Sequence, residues 1–232
     1  MEKQLRYNRN KFLVSLILVG VFLSLGVFTS IGQTTRPEVM LTWESSTYTP
    51  LGFRGKTLPT NGSLVTASLD ILDSSGRLVD FSEETTYWYL NGKLIKSGVG
   101  IQAAVFRALR GTQELRVQLP DYPGGILVKT VGIPTVRPEV VITYGGVDGN
   151  IAGSARAEAL TYFFNVSDQK SLDFFWQVNG QPPENLESPE FLNITLPSSA
   201  PDNFPVNVSL SVVNKNFTTE AASKLLRLTL KR

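Results

Sequence analysis

The 232-residue chain contains no cysteine and no histidine. The first absence excludes disulfides, thiol nucleophiles and thiolate metal sites. The second removes the commonest general base and the imidazole ligand, so no zinc set richer than carboxylates can be assembled. Charge is sparse, at 18% of residues, and stretches with a 3.6-residue apolar period are hard to find. Long apolar runs are also missing, with one exception. That exception, residues 12–32, FLVSLILVGVFLSLGVFTSIG, holds no charge at all.

A helix rises about 1.5 Å per residue, so a run of this length matches the roughly 30 Å of a bilayer core. Lys3, Arg6, Arg9 and Lys11 precede it, and the next charge is Arg36. The positive-inside rule then keeps the N-terminus cytoplasmic and exports the remainder. The expectation is a cytoplasmic tip, 1–11, and a signal-anchor transmembrane helix, 12–32. Gly20 and Gly26 are not spaced as a GxxxG pair but leave room for close helix contact. The competing reading is a cleaved signal with Ser30 and Gly32 as its small residues. This run exceeds the usual apolar length of about 7–15 residues for such signals. A lipid anchor would need a cysteine after the run, and a pilin-type leader an acid just inside it; neither is there.

Roughly 200 residues follow, enough for two cores of ordinary size. The net charge of +2 misleads, because the tip carries four positive residues against Glu2 and so accounts for +3, leaving about −1 for the exported part. That balance argues against nucleic acid as a partner. Frequent glycine and proline with abundant β-branched residues indicate an all-β fold.

The exported part is duplicated. RPEVMLTW (36–43) places Val39, Leu41 and Trp43 on one strand face, and RPEVVITY (137–144) places Val140, Ile142 and Tyr144 likewise. TYWYLNGKLI (86–95) corresponds to FFWQVNGQ (174–181), each with a tryptophan before an Asn-Gly pair. Asn-Gly takes the positive φ angles of a type I′ turn, so each copy predicts a hairpin of one central strand and a short partner. LRVQLPD (115–121) corresponds to VNVSLSVVN (206–214), with Val206, Val208, Leu210 and Val212 facing inward. ILVKTVGIP (126–134) reads as the last strand of the first copy, and the second copy is expected to end in a strand near 225–230. The copies therefore divide at 36–134 and 135–232, with almost no linker, as a semi-rigid pair.

The aromatic-x-Trp-x-x-Asn-Gly strand, followed by V-x-V-x-L-x-V, resembles the bacterial Ig-like and PKD-like sandwich domains of surface proteins. The second copy is the better match. The resemblance implies two tandem seven-strand Greek-key β-sandwiches. It implies no chemistry, since adhesins, spacers and assembly subunits share the fold.

The first copy is longer by roughly a dozen residues in 45–63, SSTYTPLGFRGKTLPTNGS, where Tyr48 and Phe53 stand beside Arg54 and Lys56. Binding residues concentrate on loops held by rigid scaffolds, which makes these four the candidate partner-binding residues. The alternative is that the segment packs over one end of the sandwich or lies against lipid headgroups. Acid pairs Asp70 with Asp73, Glu83 with Glu84 and Glu184 with Glu187 read as turn and loop residues, Asp73 opening the turn DSSG. GGVDGN (145–150) is too poor in acids for a calcium loop. Sequons at Asn61, Asn165, Asn193, Asn207 and Asn216 are expected by chance in Asn- and Thr-rich strands. No cofactor or metal is expected.

The leading expectation is a non-enzymatic, membrane-anchored, extracytoplasmic protein acting as a surface spacer or protein-binding module. One alternative is a bitopic subunit of an envelope assembly such as a secretion or pilus machine. Another is a carbohydrate-binding surface protein.

Overall fold

Two-residue alternation of apolar and polar side chains recurs in many segments of the chain, and these fold accordingly into paired sheets. The computed structural model describes residues 37–184, 186 and 188–231. The expected tip and membrane helix, 1–32, lie outside the described residues. Among those described, no helix is long and apolar enough to cross a membrane.

The first sandwich comprises β1 (Glu38–Ser45), β2 (Leu64–Leu72), β3 (Thr85–Leu90), β4 (Lys93–Val99), β5 (Ala103–Arg107), β6 (Thr112–Leu119) and β7 (Leu127–Pro134). One sheet has the order β1-β2-β5, the other β4-β3-β6-β7. The second comprises β8 (Glu139–Tyr144), β9 (Asn150–Ile151), β10 (Ser154–Tyr162), β11 (Leu172–Val178), β12 (Phe191–Thr195), β13 (Pro205–Asn214) and β14 (Ala221–Leu230). Its sheets run β12-β10-β8 and β11-β13-β14-β9. Consecutive strands repeatedly change sheet, which is the Greek-key arrangement of Ig-like sandwiches.

Each core has a tryptophan at its centre. Trp88 and Trp176 are fully buried, and each indole N–H is satisfied by a carbonyl thirteen positions later. Trp88 donates to Ile101 at 3.3 Å and Trp176 to Pro189 at 2.9 Å. Val206, Val208, Leu210 and Val212 are all buried, while Asn207 faces solvent. Both Asn-Gly pairs hold the positive φ angles of a type I′ turn, 50° and 78° at Asn91-Gly92 and 51° and 82° at Asn179-Gly180. Each asparagine side chain also accepts a hydrogen bond from the strand opposite, from the N–H of Glu114 and of Asn207, both at 2.8 Å. The two copies thus share not only a strand pattern but the same turn chemistry.

One expectation is corrected. The first turn leads into a real partner strand, β4, whereas the second gives, among the described residues, a single bridge between Val178 and Gln181. Pro182 and Pro183 follow immediately, and proline has no N–H to donate to a ladder. On the opposite edge the second sandwich has instead β9, which pairs in parallel with the end of β14.

Candidate functional site

Residues 45–63 are tied to their own sandwich at both ends and reach beyond it in between. The Ser46 N–H donates to Leu64 O at 3.0 Å, and the Thr47 hydroxyl to Leu58 O at 2.7 Å, which bends the segment back on itself. At Tyr48 the chain then bonds to the other sandwich. The Tyr48 N–H donates to Phe164 O at 2.8 Å, and the Phe163 N–H to Tyr48 O at 2.7 Å. These reciprocal bonds are an antiparallel bridge across the junction. The Tyr48 side chain packs on the second sandwich's core, and burial, with lesser contributions from the Asp168 and Glu190 charges, pushes its phenol pKa up.

Phe53 extends the same contact. Its ring meets Tyr162 and Phe163 edge-on, at centroid distances of 5.7 and 6.0 Å. Aromatic pairs in this geometry contribute about 0.5–1.5 kcal/mol each beyond their burial. Phe163 has φ of 61°, where a bulky side chain is strained. The Tyr48 bridge and the Phe53 ring hold it in place. Gly55 lets the loop curl over Phe53, since a Cβ there would lie 2.5 Å from the ring's Cζ.

The other two residues singled out in the sequence do not reach the second sandwich. Lys56 Nζ lies 3.5 Å from the ring centroid of Trp43 in the first, with its pKa lowered by burial. Such a cation–π contact is worth about 0.5–1 kcal/mol at an exposed site. Arg54 is exposed and has no partner among the described residues. The structure therefore separates the four: Tyr48 and Phe53 hold the junction, Lys56 fastens the loop to its own domain, and Arg54 faces solvent.

Further along, Glu220 ties the same two parts together. Its half-buried carboxylate accepts hydrogen bonds from the Thr60 hydroxyl at 3.2 Å, from the Asn165 N–H at 3.0 and 3.1 Å, and from Asn214 Nδ2 at 2.5 Å. The connecting residues are pinned as well. Val136 N–H donates to Pro59 O at 2.9 Å, and the Gly111 N–H to the Thr135 hydroxyl at 2.8 Å. Beside this floor opens a cleft of about 990 Å³ between the two sandwiches, with Arg107, Arg110, Arg137 and Phe217 on its walls.

Sequence reasoning missed Tyr162, Phe163, Glu220 and the cleft arginines. A signal for the first two was present. The run Tyr162-Phe163-Phe164 ends a strand, and three consecutive aromatics cannot all face one core when side chains alternate.

The sequence matches no protein-family model and no curated protein. Solved structures give the comparison instead. The chain is similar to the fibronectin(III)-like modules of CbhA from Clostridium thermocellum, at 14% identity over 83% of this chain and 94% of that one, with a TM-score of 0.30. It is similar to the three N-terminal domains of the outer capsid protein Hoc of bacteriophage RB49, at 11% identity over 84% and 59%, with a TM-score of 0.41. It is also similar to the adhesin InvE of Yersinia pseudotuberculosis, at 12% identity over 86% and 61%, with a TM-score of 0.29. The chain spans less than two thirds of the latter two. Likenesses this distant say nothing of binding, and the Ig-like fold rests on the strand order described above.

Proposed function

We propose that this chain is a non-enzymatic, membrane-anchored, extracytoplasmic protein whose two Ig-like sandwiches act together as a stiff spacer and protein-binding module. The observation that carries this reading is the junction. The Tyr48 bridge, the Phe53 cluster and the Glu220 carboxylate fasten two sandwiches that tandem repeats elsewhere leave to a linker. A module that only needed two binding domains would gain nothing from fixing their angle; one that presents a surface at a set distance from a membrane does. The apolar, uncharged run 12–32 with basic residues before it supports the anchor, and the lack of histidine and cysteine supports a role without catalysis.

The test is protease treatment of intact cells producing the chain with a C-terminal epitope tag, combined with N-terminal sequencing of the membrane-bound species. Loss of the tag from a chain that keeps its original N-terminus is the expected result. A tag protected in intact cells, or a chain beginning near Gln33 and released to the medium, overturns the anchored reading.

A further inference from the structure

The cleft beside Glu220 has polar groups of two kinds. Several are already committed within the protein: the Thr60 hydroxyl and Asn165 N–H to Glu220, the Thr135 hydroxyl to Gly111, and an Arg107 guanidinium N–H to Gly62 O at 2.9 Å. What remains open among the described residues is the neutral side chains of Asn61, Asn165 and Thr219 and, with them, two cations. Arg110 and Arg137 are exposed on the cleft wall and form no ion pair or hydrogen bond among the described residues.

The charge is one-sided. Three arginines line the cleft against a single acid, Glu220, and the oxygens of that acid are occupied by N–H and O–H donors rather than by a cation. Phe217 projects from the β13–β14 loop into the same space at 54% exposure, an apolar surface among guanidinium groups. A volume of about 990 Å³ admits a segment of several residues.

We propose that this cleft is a docking site for an acidic polypeptide segment of a partner protein, with carboxylates on Arg110 and Arg137 and an apolar side chain against Phe217. Guanidinium groups match carboxylates in a planar, bidentate geometry. A neutral polysaccharide could use the Asn61, Asn165 and Thr219 side chains but would leave both guanidinium charges unmatched. The proposal rests on the reading of the chain as a protein-binding module and names the chemistry of its partner. It also gives the junction a second consequence. The arginines come from the end of β5, the β5–β6 loop and the connecting residues, and Phe217 from the second sandwich, so the cleft exists only while the two parts hold their relative position.

The test uses the full chain in detergent and three probes: a synthetic Glu- and Asp-rich peptide carrying one phenylalanine, its Lys-for-acid counterpart, and an oligogalacturonate. Two variants are compared with the parent, Arg110→Glu with Arg137→Glu, and Lys93→Glu with Lys129→Glu, which makes the same charge change on exposed residues that do not line the cleft. Expected are binding of the acidic peptide alone, weakening with salt, and a loss of about tenfold or more in the arginine variant only, as removal of two ion pairs allows. No binding of the acidic peptide overturns the proposal. So does equal weakening in both variants, or binding of oligogalacturonate in its place. These outcomes leave the protease result on intact cells untouched, so failure of the cleft is distinguishable from failure of the membrane-anchored reading.

Discussion

The two sandwiches use the same position in the fold for opposite ends. After the first strand of the second copy, residues 145–153 turn through Asp148-Gly149 and supply β9, which pairs with β14 and closes that copy's own sheet. After the first strand of the first copy, the segment that follows Ser45 leaves its sheet and bridges at Tyr48 to Phe164 of the other sandwich. A first-to-second-strand connection is free to vary because it carries none of the core alternation. Here one copy spends it on self-closure and the other on its neighbour. Duplicated domains can thus diverge in assembly while their cores stay alike.

The comparison can be broken most severely at what the copies share. Trp88→Ala and Trp176→Ala each remove a fully buried indole, a change that costs about 3–5 kcal/mol. If the junction couples the sandwiches, either variant lowers one common melting transition, which thermal unfolding followed by circular dichroism would show. Two separate transitions, only one of them shifted, would mean the parts unfold alone.

A smaller effect is expected at the junction's polar centre. Glu220→Ala leaves the Asn165 N–H, Asn214 Nδ2 and the Thr60 hydroxyl without their acceptor, at a cost of about 1–3 kcal/mol. Glu220→Gln keeps one acceptor oxygen and should recover part of that loss, both variants being read by denaturant titration. Wild-type stability in both variants would show that the carboxylate contributes nothing.

Much of this fold was legible because its signals are local. Val206, Val208, Leu210 and Val212 alternate within a single strand, and Asn91-Gly92 and Asn179-Gly180 set their turns with two adjacent residues. The junction was not legible for the converse reason. Tyr48 and Phe164 lie more than a hundred positions apart, and nothing local to either distinguishes a loop that binds a partner from one that binds its own chain. Of the four residues singled out, the two aromatics found a partner inside the molecule, while the charge of Arg54 stays free. The missing partner strand of the second copy is a different case. Pro182-Pro183 was visible in the sequence, but the matching Asn-Gly made the two hairpins read as equivalent.

Those turns give a third prediction, of equal size in both copies. Asn91→Ala and Asn179→Ala each force alanine into a left-handed conformation and remove a side-chain acceptor, for a loss of about 1–2 kcal/mol. Hydrogen exchange at the flanking strands would check it. A loss confined to the first copy would mean that β4, absent from the second, is what makes the turn matter.

The smallest effect is one of pH and sharpens the contrast in the segment 45–63. Burial raises the Tyr48 pKa above the ordinary value of about 10. The folded state therefore holds this proton more tightly than the unfolded state. Its contribution is fully present below about pH 10 and is lost as pH rises through the folded value. Burial lowers the pKa of Lys56, so that group acts with the opposite sign in the same alkaline range. Tyr48→Phe should abolish the alkaline loss at the junction, and Lys56→Met should deepen it by removing the opposing contribution. Identical pH profiles for parent and Tyr48→Phe would show that the phenol is not held as described.

The coupling of the two sandwiches is tested most directly by differential scanning calorimetry of the parent and of a Tyr48→Ala, Phe53→Ala double variant. Tyr48 loses its packing on the second core and Phe53 its two aromatic contacts, while the main-chain bridge and Glu220 remain. The parent should unfold in one transition whose calorimetric and van't Hoff enthalpies agree, and the double variant should separate into two. A parent that already shows two transitions, or a double variant indistinguishable from it, would contradict a junction that makes the two sandwiches a single unit.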